Sequence, residues 1–130
     1  MRIVIAGGPR TGKSTLFRSL ALDFAVAIGT DDFMDRPWDA VPDAIVDVLE
    51  KHDEFLLEGV NAARVLRRWI RDRQTFPGID VCYYLTSPMV PQTKAQASMT
   101  KAIATVWKDV LPRLVADGTT IVREVERAGR

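Results

Sequence analysis

The sequence predicts an α/β fold in which a parallel sheet of roughly five strands is flanked by helices on both faces. Short apolar, β-branched stretches alternate along the chain with stretches whose apolar residues recur at helical spacing. A glycine-rich turn joins the first of these strands to the first helix. Polar residues follow the ends of several strands, and ligands bind at the carboxyl ends of a parallel sheet. The length of 130 residues, with no linker, predicts one domain over residues 1–130.

The first strand and helix enclose the most specific motif of the chain. Residues 3–6 (IVIA) form a short apolar strand, the sequence GGPRTGKST follows, and apolar residues at helical spacing come next. Within it, Gly7, Gly12, Lys13 and Ser14 have the spacing of a phosphate-binding loop, G-x-x-x-x-G-K-[ST], here called the P-loop. Because strand, turn and helix supply the context that this motif requires, the sequence predicts a three-layer P-loop NTPase fold.

The residue types of the P-loop indicate how it would hold ATP. Glycines allow backbone N–H groups to surround a phosphate, and a helix N-terminus adds donors and a positive dipole. Lys13 is predicted to be catalytic and to contact the β- and γ-phosphates, and the Ser14 hydroxyl to bind Mg²⁺. The predicted cofactors are therefore ATP and Mg²⁺. The predicted ATP-binding residues are Gly7, Gly8, Pro9, Arg10, Thr11, Gly12, Lys13, Ser14 and Thr15.

The rest of the chain continues the alternation of strands and helices. Pro88 stops the fourth strand, and Pro112 is expected near a boundary or kink of the last helix. Strands are predicted at residues 24–29, 55–57, 79–88 and 118–126, and helices at residues 39–52, 61–73 and about 92–116.

Carboxylates follow two of these strands on the side where the P-loop lies. Asp31 and Asp32 follow the second strand, and Glu58 follows the third. Transfer of a phosphoryl group to an alcohol needs a group that orients and deprotonates the hydroxyl, so either aspartate is a candidate catalytic base. The alternative is a helix cap or turn. Glu58 either binds Mg²⁺ through water or holds substrate, or it pairs with Arg64.

Composition narrows the possible partners. A net charge of +1 gives no global attraction for nucleic acid or a membrane. No apolar run approaches the roughly 20 residues that cross a bilayer, and the N-terminus is predicted to be a core strand rather than a signal peptide. Cys82, the one cysteine, excludes an internal disulfide and is predicted to be buried in a strand. These features predict a cytoplasmic protein, in the host cytoplasm if it is viral.

Three classes of P-loop protein compete. A GTPase switch would need Asn-Lys-x-Asp and Asp-x-x-Gly motifs, and neither occurs. A ring-forming ATPase needs a longer domain and a strand ending in Asp-Glu, whereas the third strand here ends LLEG. A small-molecule kinase needs a P-loop, a carboxylate near the acceptor hydroxyl and cationic residues, and all three have candidates. A nucleotide-binding module without transfer chemistry stays open as a further alternative.

The strings GGPRTGKST, TDDF, FLLEGV and DVCYYLTSP, in this order, resemble the small P-loop kinases. These include nucleoside, nucleotide and sugar kinases and phage enzymes that phosphorylate hydroxymethyluracil in DNA. The resemblance implies that Asp31 or Asp32 accepts the proton of the substrate hydroxyl, and that Glu58 begins the family's Glu-Gly pair. The lid of such kinases usually carries arginines after the fourth strand, but the matching segment here offers only Lys94 and Lys101.

The predicted helix at residues 61–73 provides evidence about the substrate. Arg64, Arg67, Arg68 and Arg71 form one stripe that only Asp72 balances in sequence, which indicates either an anion-binding face or a solvated charged face. Arg64, Arg67 and Arg68 are the candidate ligands of substrate phosphates.

Two aromatic residues follow the candidate base. Phe33 and Trp38 would either stack on a base or belong to the core. With the resemblance, these features favour a nucleoside-type acceptor, a 5-hydroxymethyl pyrimidine in phage DNA. The alternative is a free nucleoside, a nucleotide or another small metabolite. The oligomeric state stays open.

Overall fold

The computed structural model confirms the α/β architecture and describes residues 1–9, 11–33, 35–73, 77–85 and 91–123. Its sheet has five strands in the order β2-β3-β1-β4-β5, and every neighbouring pair is parallel. The strands are β1 (Arg2–Gly7), β2 (Ala27–Gly29), β3 (Phe55–Gly59), β4 (Val81–Leu85) and β5 (Thr120–Arg123).

Helices cover both faces of the sheet and make a three-layer structure. They are α1 (Lys13–Ala21), α2 (Val41–Leu49), α3 (Ala62–Asp72) and α4 (Lys94–Ala116), with short 3-10 turns at Thr30–Phe33 and Trp38–Ala40. Alternate residues of β1 face opposite sides, so Ile3 and Ile5 pack under α1 while Val4 and Ala6 face the core under the other helices. The predicted three-layer fold is therefore confirmed.

The register of the sheet brings three strand ends to one level. Gly29 at the end of β2 lies opposite Glu58 of β3, and Glu58 lies opposite Ile5 of β1. Because β1 leads directly into the P-loop, the segments that follow β2 and β3 are neighbours of that loop.

The second strand is shorter than the sequence predicts, beginning at Ala27 rather than at residue 24. The N–H groups of Asp23 and Phe24 donate to the carbonyls of Leu20 and Ala21, each at 3.1 Å. These bonds extend a turn beyond α1, so the backbone is not free to join the sheet until after this turn.

Pro112 lies inside α4 one turn before its end at Ala116, so it is near a helix boundary as predicted, although the helix does not end at the proline. Proline removes the hydrogen bond to the carbonyl of Lys108. Pro112 and Lys108 are both exposed, so water satisfies that carbonyl at little cost. The predicted ends of the fourth and last strands, at residues 86–88 and 124–126, lie outside the described residues.

Cys82 confirms the expectation of a buried strand residue. It is the second residue of β4 and has no exposed surface, and burial raises the pKa of its thiol to about 12.

Candidate active site

The P-loop connects β1 to α1 in the strand–turn–helix arrangement that the motif requires. Gly12 is the N-cap of α1 and has a left-handed backbone, with φ of 90° and ψ of 13°. No side chain in the described part of the chain caps this helix, so its first N–H groups are available to an anion. Gly7 has a φ of 142°, and a side chain there would collide with the carbonyl of Leu85. The loop thus needs glycine at both positions.

Lys13 is held inside the loop by the loop's own backbone. Only 7% of the residue is exposed, and its Nζ donates to the carbonyl oxygen of Gly8 at 2.5 Å. The hydroxyl of Thr11 donates to the same oxygen at 2.8 Å. Burial lowers the pKa of Lys13, whereas the charges of Glu58 and Asp31 act in the opposite direction. The predicted position Arg10 lies outside the described residues.

Carboxylates from β3 and the turn after β2 meet near this lysine. A Cβ placed on Gly29 would lie 3.5 Å from both Asp32 Oδ2 and Glu58 Oε2, so these two carboxylates border one point. Burial raises the pKa of Glu58, Lys13 lowers it, and Asp31 and Asp32 raise it further. Lys13, Asp31 and Asp32 are thus charged groups whose fields act on Glu58.

Asp31 and Asp32 have different surroundings, although both are exposed. Asp32 Oδ2 accepts the N–H of Gly29 at 3.3 Å, which ties that carboxylate to the turn. The charge of Asp31 acts on both Lys13 and Glu58. Asp31 is thus the aspartate whose field reaches the P-loop lysine.

The side chains of this region fit a weakly ligated Mg²⁺ better than a metal bound by protein alone. Within the described residues, no three histidine, cysteine or carboxylate side chains converge on a metal position. Mg²⁺ usually takes one or two protein ligands and keeps water and phosphate oxygens. The exposed Ser14 in the first turn of α1 is accessible to a hydrated ion, in agreement with the predicted Mg²⁺ ligand.

Gln92 and Thr100, which no motif indicated, contact the outer side of the P-loop. Gln92 Nε2 donates to the carbonyl of Pro9 at 2.6 Å and to Thr100 Oγ1 at 3.0 Å. Thr100, on α4, lies so close to Gly8 that a side chain at Gly8 would collide with its hydroxyl. No local motif links residues 83 positions apart, so this contact was not predictable from spacing.

The expectation that only Asp72 balances the arginines of α3 is wrong. Arg68 pairs with Asp43 of α2 as well as with Asp72, both at 3.1 Å. Arg71 reaches Asp109 of α4 at 3.8 Å. Arg73 is likewise bound by Asp47 at 2.8 Å and Glu50 at 3.3 Å. The neighbouring helices thus neutralise part of the stripe.

A cleft of about 350 Å³ lies beside the remaining positive charge, and is called the α3 cleft below. It is lined by Arg64, Arg67, Arg68 and Arg71, with Asp39 and Asp72 as the acidic residues. Arg64, in the first turn of α3, donates to Asn61 Oδ1 at 3.2 Å. Burial and the charge of Arg67 lower the pKa of Arg64.

The two candidate stacking residues do not gain equal support. Phe33 is half-buried against the core, and the guanidinium carbon of Arg36 lies 5.2 Å from the centre of its ring. These contacts favour the alternative that Phe33 is a core aromatic. The side chain of Trp38 lies outside the described part of the structure.

Among the described residues, no helix is long and apolar enough to cross a membrane.

Comparison with known proteins supports the fold. The sequence matches no protein-family model and no curated protein. Similar solved structures include a shikimate kinase from Bacteroides thetaiotaomicron, with 14% identity over 94% of this chain and 84% of that chain and a TM-score of 0.49. A shikimate kinase from Acinetobacter baumannii, solved in complex with shikimate, has 13% identity over 93% of this chain and 81% of that chain, with a TM-score of 0.54. The second likeness shows the shared α/β fold.

Proposed function

We propose that this chain is an ATP- and Mg²⁺-dependent kinase that transfers the γ-phosphate to a hydroxyl of a small-molecule acceptor. One observation carries the proposal. Lys13 of the P-loop and the carboxylates Asp31 and Glu58, which come from two different strand ends, act on one another's charge at the same edge of the sheet. One carboxylate near the lysine would serve Mg²⁺, and a second leaves a group available to accept the proton of an acceptor hydroxyl.

In this proposal the oxygen of the acceptor hydroxyl forms a bond to the γ-phosphorus as the bond from that phosphorus to the β,γ-bridging oxygen breaks. ADP leaves, and the hydroxyl proton passes to the carboxylate of Asp31. Transfer of this kind depends mainly on positioning and on electrostatic stabilisation. Lys13 neutralises charge on the phosphates from its buried position in the loop. Mg²⁺, held through the Ser14 hydroxyl and water, would shield the same charge.

Asp31 is the proposed base and Asp32 a residue that shapes the turn. The carboxylate of Asp32 already accepts the N–H of Gly29, which fixes its direction. The charge of Asp31 acts on Lys13, which supports a position of the acceptor hydroxyl between Asp31 and the P-loop.

Two observations favour a small acceptor over the hydroxymethylated DNA considered from the sequence. Carboxylates of neighbouring helices bind Arg68 and Arg71, which reduces the attraction for a run of phosphates. The α3 cleft, at about 350 Å³, has the size of a metabolite site. The comparisons do not support the DNA acceptor.

The test is incubation of the purified protein with labelled ATP and Mg²⁺ and a panel of hydroxyl compounds. The panel contains shikimate, other hydroxy acids, nucleosides, nucleotides and hydroxymethyluracil DNA. We expect label in a small acceptor, and no turnover for a folded Lys13→Ala variant. Asp31→Asn should lower kcat by at least about a hundredfold, and Asp32→Asn by much less, because only Asp31 is the proton acceptor.

Each other outcome has a defined meaning. Label in DNA alone would support the phage-type acceptor and reject the small molecule. ATP binding with no labelled product would identify a nucleotide-binding module. A larger loss for Asp32→Asn than for Asp31→Asn would reverse the assignment of the base.

A further inference from the structure

The α3 cleft contains positive charge that the neighbouring helices leave unbalanced. Arg68 is held by two carboxylates, and Arg71 is close to one. Within the described residues, no carboxylate lies within ion-pair distance of Arg67, which is half-buried. A half-buried guanidinium without a carboxylate is costly unless something else in the cleft bears negative charge.

Arg64 places a second positive charge beside Arg67. The two residues are three positions apart on α3 and therefore neighbours on one helix face. Arg64 is also half-buried, and the charge of Arg67 contributes to lowering its pKa. Two like charges that are partly withdrawn from water repel each other, and an anion placed between them turns this repulsion into two charge-assisted hydrogen bonds.

The α3 cleft is bordered by α3, which follows β3, and by the turn before α2. The turn that carries Asp31 contacts both β3 and α2. Helix α3 begins three residues after Gly59, the end of β3, and Arg64 lies in its first turn. Arg64 is five residues after Gly59. Because five residues span at most about 18 Å, the Cα of Arg64 lies within that distance of the strand end. On the other side, Asp39 belongs to the short turn before α2, which follows the segment containing Asp31.

We propose that Arg64 and Arg67 bind an anionic group, a carboxylate or a phosphate monoester, on the acceptor whose hydroxyl is directed to Asp31. This inference rests on the proposed kinase function and names the acceptor class as small hydroxylated anions. Guanidinium groups suit both anions because their fork of N–H donors matches two oxygens at once. Arg68 shapes the cleft through Asp43 and Asp72 rather than binding the ligand.

The acidic residues of the cleft limit the occupant to a small one. Asp39 and Asp72 both border the cleft. A run of DNA phosphates laid along α3 would meet these carboxylates, whereas a single anionic group between Arg64 and Arg67 need not. The occupant is therefore a metabolite with one anionic group at this end.

The first test measures anion binding without turnover. With ADP and Mg²⁺ occupying the P-loop, inorganic phosphate and, separately, acetate are titrated while the side-chain Nε–H signals of the arginines are followed by NMR. We expect saturable shifts of Arg64 and Arg67. Loss of one charge-assisted hydrogen bond should weaken phosphate binding at least about tenfold in Arg64→Gln and in Arg67→Gln, and less in Arg67→Lys.

Arg113→Gln is the matched control, because Arg113 lines the neighbouring cleft that Arg67 and Arg71 also border. It should change phosphate binding by less than about twofold, within the range of surface charge effects. Equal weakening by Arg113→Gln, or no saturable shift at Arg64 and Arg67, would overturn the proposal. The same titration on Lys13→Ala, in which phosphoryl transfer is removed, should still show binding at the arginines, so failure of the kinase function is recognised separately.

The second test uses pairs of acceptors that differ only in the anionic group. A hydroxy acid is compared with its methyl ester, and a nucleoside monophosphate with its nucleoside. Arg67→Gln should raise KM at least about tenfold for the anionic member and leave the neutral member unchanged. If the KM difference appears in the hydroxy-acid pair, the bound group is a carboxylate, and if it appears in the nucleotide pair, the bound group is a phosphate. Equal effects on both members, or an effect confined to salt-dependent use of an oligonucleotide, would reject the proposal.

Discussion

Glu58 is the residue at which opposing electrostatic effects meet. Its carboxyl is half-buried beside Lys13, and burial raises its pKa more than the lysine lowers it. Asp31 and Asp32 raise it further. Glu58 therefore binds a proton more tightly in the folded chain than in the unfolded chain. Burial removes water from the charged carboxylate, and the ammonium group of Lys13 does not fully replace that water.

This raised pKa fixes the sign of a pH effect on stability. In the window above the ordinary carboxyl pKa of about 4.3, the native state holds more protons at Glu58 than the unfolded state, so its contribution to stability is present at low pH and declines as pH rises. We expect the free energy of unfolding of the wild type, relative to Glu58→Gln, to fall as the pH rises above about 4. Urea denaturation of both proteins across this range measures it.

A second variant checks the cause. Lys13→Met removes the attraction, so the pKa of Glu58 should rise and the decline should extend to higher pH. If the wild type instead gains stability over Glu58→Gln as pH rises, the attraction of Lys13 outweighs burial and the assigned order of causes is wrong.

At the residue scale, the sequence predicted the groups that depend on local motifs and missed those that depend on packing. The P-loop and the carboxylates after β2 and β3 follow from a motif and from a rule about strand ends. Asp43, which pairs with Arg68, and Asp47, which pairs with Arg73, belong to α2, and the pairing of helices is not encoded in the spacing of either one.

At the scale of elements, the contact between α4 and the P-loop carries the most consequence. Thr100 fills the space in front of Gly8, and Gln92 holds the carbonyl of Pro9 from the segment just before α4. The position of the P-loop therefore depends on α4, which comes much later in the chain. Glycine at position 8 is required by this close approach, in addition to any approach of phosphate.

Gly8→Ala should displace the loop from α4, because the new Cβ collides with the Thr100 hydroxyl. Overpacking of this kind costs about 1–3 kcal/mol, so we expect weaker ATP binding and a lower Tm. Thr100→Ala in the same protein removes the hydroxyl and methyl, leaving the Thr100 Cβ at 3.1 Å, and should recover part of both losses.

A double-mutant cycle on the Kd for ATP and on Tm measures the coupling between these positions. Gln92→Ala serves as the control, since it removes the hydrogen bonds without adding bulk. Strictly additive effects of Gly8→Ala and Thr100→Ala would show that the loop does not depend on this contact.

The element boundaries show why periodicity alone was insufficient. Apolar spacing predicted the existence and order of the strands and helices in the described ranges, since each must bury one face. It placed the start of β2 too early because the turn after α1 uses backbone hydrogen bonds that leave no trace in apolar spacing.

For the whole molecule, nucleotide binding and global stability should be linked. A ligand that binds only the native state at one hundred times its Kd adds about 2.7 kcal/mol to the free energy of unfolding. Cys82 reports this change, because its thiol is buried and its pKa is about 12, so it reacts only after the sheet opens. ATP and Mg²⁺ at that concentration should slow labelling of Cys82 about a hundredfold.

Lys13→Ala is the control for this experiment, since loss of the lysine should remove most of the protection while leaving Cys82 in place. Rapid labelling of the wild type that ATP does not slow would show that β4 opens locally, without release of the nucleotide site.

The position of β1 in the sheet has a consequence for how the chain is made. β1 begins at Arg2, yet its two neighbours are β3 at residues 55–59 and β4 at residues 81–85. During synthesis the strand that carries the P-loop therefore leaves the ribosome before either of its pairing partners. Gln92 and Thr100, which hold the loop, emerge later still. Non-local pairing of this kind slows folding and leaves apolar edges exposed in the meantime. The nascent chain is thus most open to chaperone capture, or to aggregation, before residue 85 is released.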